Sequence, residues 1–91
     1  MKVHIIDDKE PTLEELQKLV GGYIEVYDVD SMQIVLNEEG RLIGLPVNKK
    51  AMDYLQKELN SNIKTGGFKI STLVGDVVIL KGKGKLTWWI F

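Results

Sequence analysis

Cysteine is absent from the 91 residues. That excludes disulfides, thiolate metal sites and cysteine nucleophiles, and it fits a reducing compartment. Histidine occurs once, as His4, so imidazole-based metal sets and Ser-His-carboxylate arrangements have little to draw on. Net charge is nearly absent too, at -1, so no broad field gathers nucleic acid or an anionic membrane surface. The same balance lacks the dense carboxylates of a DNA mimic. Long apolar runs are missing: nothing approaches the roughly 20 residues that span a bilayer, and Met1–Asp8 holds too few apolar residues for a signal peptide. The expectation is a cytoplasmic protein without a membrane partner and without direct nucleic-acid contact.

What is there is the material of one folded domain. Hydrophobic residues at 44% beside 27% charged ones decide against disorder, and the length allows a single core over residues 1–91. Val3–Ile6 reads as a short first strand. Thr12 and Glu15 have the spacing of a capping box, and Leu13, Leu16, Leu19 and Val20 share one helical face that Gly21-Gly22 terminates. Tyr23–Val29 alternates with period two, with Ile24, Val26 and an inward-leaning Asp28 on one face and Tyr23, Glu25, Tyr27 and Val29 on the other. Met32–Leu36 returns as a second strand, Asn37–Gly40 turns, and Arg41–Leu45 reads as a third, giving an antiparallel meander. Pro46 stops it and Asn48 caps a helix through Asn60. Phe68–Leu73 is a candidate strand, Val77–Leu80 is apolar enough to be central, and Leu86–Phe91 is a last strand beyond a basic Lys81–Lys85 hairpin tip. The order is β-α-β-β-β-α-β-β, an α+β domain with an antiparallel or mixed sheet and both helices on one face.

Few residues in this pattern carry chemistry. The pairs Asp7/Asp8, Glu14/Glu15, Asp28/Asp30 and Glu38/Glu39 sit in turns and a first helical turn, where neighbouring carboxylates point apart or favour the helix dipole. Asp28–Ser31 lacks the glycine and later glutamate of a calcium loop, and no glycine cluster has the strand, Lys-Ser/Thr and helix context of a phosphate loop. Catalytic residues, metal ligands and cofactors are therefore not expected, nor is an enzyme. Two features stand apart. Trp88, Trp89 and Phe91 cannot all enter the core of so small a domain, so they are candidates for a self-interface in a homo-oligomer. In Asn37–Asn48, turn and cap chemistry accounts for Asn37, Gly40, Pro46 and Asn48, but leaves Glu38, Glu39, Arg41 and Gly44 over. Arg41 is the candidate for a charge-assisted contact to an anion.

The segments Leu19–Val26 (Leu-Val-Gly-Gly-Tyr-Ile-Glu-Val), Asn37–Leu42, Gly44–Asn48 (Gly-Leu-Pro-Val-Asn) and Val74–Leu80 resemble, in the same order, a catalogued domain-of-unknown-function family of bacteriophages and mobile elements. The resemblance implies an accessory protein inside a bacterial host, acting against host defence by blocking a defence protein or capturing a nucleotide-like signal between subunits. Tyr23, Glu25, Glu38, Glu39, Arg41, Gly44 and Asn48 are the expected ligand or partner contacts. The alternative is a structural or regulatory interaction module with no small ligand.

Overall fold

The computed structural model describes residues 1–29, 31–61 and 73–88. Four strands and two helices are present among them: β1 (Val3–Ile6), α1 (Leu13–Val20), β2 (Ile24–Val29), β3 (Met32–Asn37), α2 (Lys49–Ser61) and β4 (Val77–Lys81), followed by a 3-10 turn at Gly82–Gly84. The sheet order is β1-β4-β3-β2. β1 runs parallel to β4, and the other two pairings are antiparallel, so the sheet is mixed and the fold is α+β.

The local signals explain the elements well. Thr12 Oγ1 accepts from Glu15 N at 3.1 Å while Glu15 Oε1 accepts from Thr12 N at 2.9 Å, closing the capping box that starts α1. Gly21 ends it, donating to Gln17 O at 2.8 Å. β4 lies inside the sheet, as its apolar run requires.

The helices cover opposite faces, which corrects the one-face expectation. Met32, Ile34, Leu36, Val77 and Ile79 pack with Ala51 and Leu55 of α2, whereas Val35, Val78 and Leu80 pack with Leu16 and Val20 of α1. The cause is legible in β4, which is apolar at both parities, and in β3, where Val35 is apolar on the second face beside the buried amides of Gln33 and Asn37. A sheet that is hydrophobic on both sides needs a cover on each.

Three further expectations change. Arg41–Leu45 is not a strand: the chain there turns continuously, with Gly40 N donating to Asn37 O, Ile43 N to Glu39 O and Leu45 N to Gly40 O. It rejoins the sheet only at the single bridge Val47–Val74. Adjacent Leu42 and Ile43 break the period-two alternation a strand needs, and Gly44 adopts φ +72°, which strand geometry excludes. Lys81–Lys85 is not a hairpin tip, because β4 passes into the 3-10 turn and residues 86–88 are not extended into a strand. Gly84 fits there because a Cβ would lie 2.2 Å from Ile6 O. Asp28 does not lean inward; β2 is an edge strand among the described residues and Asp28 is exposed. The Phe68–Thr72 part of one proposed strand, and Trp89–Phe91 of another, lie outside the described residues.

Candidate functional site

The loop between β3 and α2 is held at both ends by a buried asparagine. Asn37 Nδ2 donates to Val20 O at 3.2 Å, and its Oδ1 accepts from Glu39 N at 2.8 Å. Glu38 N donates to Tyr23 O at 2.9 Å, extending the β2–β3 ladder by one step. Asn48 is 0% exposed. Its Nδ2 donates to Lys2 O at 2.9 Å and Gly75 O at 2.8 Å, while its Oδ1 accepts from Ala51 N at 3.0 Å as the cap of α2. One side chain thus ties together the lead-ins to β1 and β4 and the start of α2. Both amide hydrogens are used internally, so Asn48 shapes the loop rather than meeting a ligand.

Between these anchors the polarity inverts. Leu42 is 85% exposed and Ile43 63% exposed, at the outermost part of the loop. Pro46 and Val47 are exposed as well, and Leu45 alone tucks back toward Gly40 and Gly75. Backbone hydrogen bonds of 2.9–3.3 Å within residues 37–45 hold this apolar tip in shape. Gly44 has no atom within 4 Å of where a Cβ would sit; only its positive φ calls for glycine.

The polar residues of the expected site divide. Glu25, Glu38 and Arg41 come together around a dimple that Leu36, Asn37 and Val74 complete. Glu25 also accepts the hydroxyl hydrogen of Tyr27, two residues along the same strand face. Tyr23 stands exposed beside this group, joined to it through its carbonyl, and Glu39 points to solvent. The dimple measures ≈ 30 Å³, room for about one water molecule. Pockets that enclose drug-sized ligands occupy roughly 300–1,000 Å³. A nucleotide does not fit inside this part of one chain.

Larger concavities lie elsewhere, and sequence reasoning missed them. A shallow groove of ≈ 610 Å³ follows the outer face of α2 past Lys50, Asp53 and Tyr54. A second, of ≈ 400 Å³, runs beside β1 and is lined by residues 1–5, Lys50 and Tyr54. The available signal was the uncharged, unalternating Val3–Ile6 next to the Lys49-Lys50 start of a helix. Below them Lys81 Nζ donates to Tyr54 Oη at 2.9 Å and to Glu58 Oε1 at 3.0 Å, fastening α2 to β4. The hydrogen bond to Tyr54, then that to Glu58, raises the Lys81 pKa, and the bond from Lys81 lowers that of Glu58.

The aromatic terminus is described only in part. Trp88 is partly exposed, and its segment is clasped by Glu10, whose carboxylate accepts from Thr87 N at 2.6 Å, Thr87 Oγ1 at 2.9 Å and Trp88 N at 3.4 Å. The Thr87 backbone bond chiefly holds the Glu10 pKa below its ordinary value. Gln33, buried on the α1 face, accepts from Leu86 N at 2.6 Å just upstream. Trp89 and Phe91, the other expected self-interface residues, lie outside the described residues. Among the described residues, no group of three His, Cys, Asp or Glu could hold a metal ion, and no helix is long and apolar enough to cross a membrane.

Against this geometry, comparison with known proteins gives a family whose function is unknown. The chain belongs to the DUF3846 family, a domain of unknown function, which matches residues 1–87. No curated protein and no solved structure matches it.

Proposed function

We propose that this protein is a non-enzymatic binding module whose working surface is the Glu38–Val47 loop, and that its ligand is another protein. The observation that carries this reading is the exposed Leu42-Ile43 pair at the tip of a hydrogen-bonded loop. Burying an aliphatic side chain of this size in a partner contributes about 1.5–3 kcal/mol. A loop already fixed by its own backbone bonds loses little further entropy on docking. Tyr23 beside it, with Glu38, Glu39 and Arg41 around it, supplies the polar rim usual for protein interfaces.

This surface favours one of the two modes that the family resemblance implies. In the setting of a phage or mobile element, the module blocks a host defence protein. Capture of a nucleotide-like signal has a dimple of ≈ 30 Å³ to work with, and needs a second chain to complete a pocket.

The test is a phage-plating assay in hosts with and without defence systems, beside a thermal-shift panel of nucleotides. Wild-type protein should restore plating in at least one defended host, and the double variant Leu42→Lys/Ile43→Lys should not, while melting like wild type. Nucleotides should leave the melting temperature unchanged. A nucleotide that raises it, with binding lost on Arg41→Ala, would replace the protein-blocking reading with the capture reading.

A further inference from the structure

β1 ends the sheet among the described residues, and no described strand pairs with its outer side. Val77 N donates to Lys2 O at 3.0 Å, and β1 pairs with β4 in parallel register from Val3–Val77 to Ile6–Leu80. In a parallel ladder the backbone groups of alternate residues face alternate sides. Lys2, His4 and Ile6 therefore face β4, while the N–H and C=O of Val3 and Ile5 point away from the sheet. The side chain of Ile5 is 48% exposed on that edge, and the ≈ 400 Å³ groove runs alongside.

Sheet edges left open invite pairing, and proteins commonly guard them with charge. β2, the other edge, is guarded: Glu25 and Asp28 are its ionisable acids and it has no cation, so two copies of β2 would set carboxylates against carboxylates. β1 differs. Val3–Ile6 carries no charge, with Lys2 before it and Asp7-Asp8 after it. A strand that is basic at one end and acidic at the other is complementary to itself when reversed.

We propose that two copies of this chain pair through β1, antiparallel about a two-fold axis at Ile5, into one continuous eight-stranded sheet. This register opposes Ile5 to Ile5 as a hydrogen-bonded pair and His4 to Ile6 as its neighbour. Val3 meets Asp7, and Lys2 meets Asp8 at both ends. The alternative register centred on His4 pairs the same outward-facing backbone groups but sets Lys2 against Ile6, losing both ion pairs. On the α2 face, Lys50 lines the groove beside residues 1–5, the side toward which Asp7 of the second copy comes. Asp53 lines the neighbouring groove along α2 and not this one, and Asp76 accepts from the Lys2 backbone N at 2.9 Å, a bond that does not use the Lys2 ammonium. The pairing is made by residues 2–8, so the proposal stands independently of what the Leu42-Ile43 tip binds.

Sedimentation velocity on the intact protein tests it, with circular dichroism to confirm that each variant folds. Wild type should show a concentration-dependent dimer. Ile5→Pro should be a folded monomer, because the lost N–H belongs to the outer edge and not to the β4 ladder. Lys2→Glu and Asp8→Lys should each weaken the dimer about tenfold, since each turns two attractive exposed pairs repulsive. An equimolar mixture of these two variants should dimerise as wild type does, because every facing pair is again of opposite sign. The proposal is overturned by a wild type that is monomeric at all concentrations, by a dimer indifferent to Ile5→Pro, or by a mixture no stronger than either variant alone.

Discussion

Asn48 and Leu42 stand six positions apart in one loop and reverse the usual partition: the amide is sealed inside and the aliphatic chain is in water. The difference separates what builds the loop from what it presents. Three short hydrogen bonds fix Asn48 to three segments, so its polarity is satisfied inside the fold. Leu42 has no such role; its exposure contributes nothing to the folded monomer and acquires value only when something covers it. Polarity alone therefore misassigns both residues. Asn48 resembles a ligand contact in sequence and acts as a clasp, while Leu42 resembles a strand residue and forms the tip.

The largest effect should come from the anchor. Asn48→Ala removes the α2 cap and leaves the carbonyls of Lys2 and Gly75 without this donor, together worth about 3 kcal/mol. For a domain of this size that lowers the melting temperature by roughly 12–24 °C. Asn48→Asp keeps the cap acceptor but sets a buried carboxylate oxygen against the Lys2 and Gly75 carbonyls, and should be no more stable than alanine. Chemical denaturation of the three proteins checks the order. An alanine variant as stable as wild type would mean that the amide is not the clasp.

The anchors were legible and the tip was not, for one physical reason. Capping boxes, helix stops and strand alternation are local, so α1, β2, β3 and the Asn48 cap follow from short stretches of sequence. Leu42, Ile43 and Leu45 read as strand because apolar residues are assumed to be buried, and nothing within the loop says that two of them face solvent. Placement of the helices on opposite faces was present in the double-sided apolarity of β4, but the parallel β1–β4 pairing joins segments more than seventy residues apart. Of the expected contacts, Glu25, Glu38 and Arg41 do converge, since they lie on consecutive ladder and turn positions. Asn48 faces the other way because its helix begins there.

A smaller change sits between anchor and tip. Gly44→Ala meets no neighbour, so its cost is the left-handed backbone alone, about 1 kcal/mol. Smaller still, Leu42→Lys/Ile43→Lys should shift stability by less than about 0.5 kcal/mol, as exposed substitutions do. Together they sharpen the comparison: stability should follow burial and hydrogen bonding, while partner binding should follow exposure. Loss of stability from the tip variant comparable to that of Asn48→Ala would collapse the distinction.

The smallest effect tests the anchor principle where it is exposed. Glu10 holds Thr87 much as Asn48 holds Lys2, by a side chain catching backbone, but from solvent and with a titratable group. Its carboxylate is held below the ordinary glutamate range, chiefly by the Thr87 backbone bond, so the folded state favours the charged form. The contribution is therefore complete above the ordinary glutamate pKa and is lost as pH falls through the lowered value. Glu15 in the capping box, lowered chiefly by its bond to the Thr12 backbone, has the same sign. In an acid titration followed by NMR, the Thr87 amide proton should move with a midpoint below that of an unperturbed glutamate. Glu10→Gln should abolish that movement, while the Ala51 amide, held by the uncharged Asn48, should be steady across the same range. Equal acid sensitivity at Thr87 and Ala51 would show that the molecule opens as a whole, leaving the exposed clasp no separate titration.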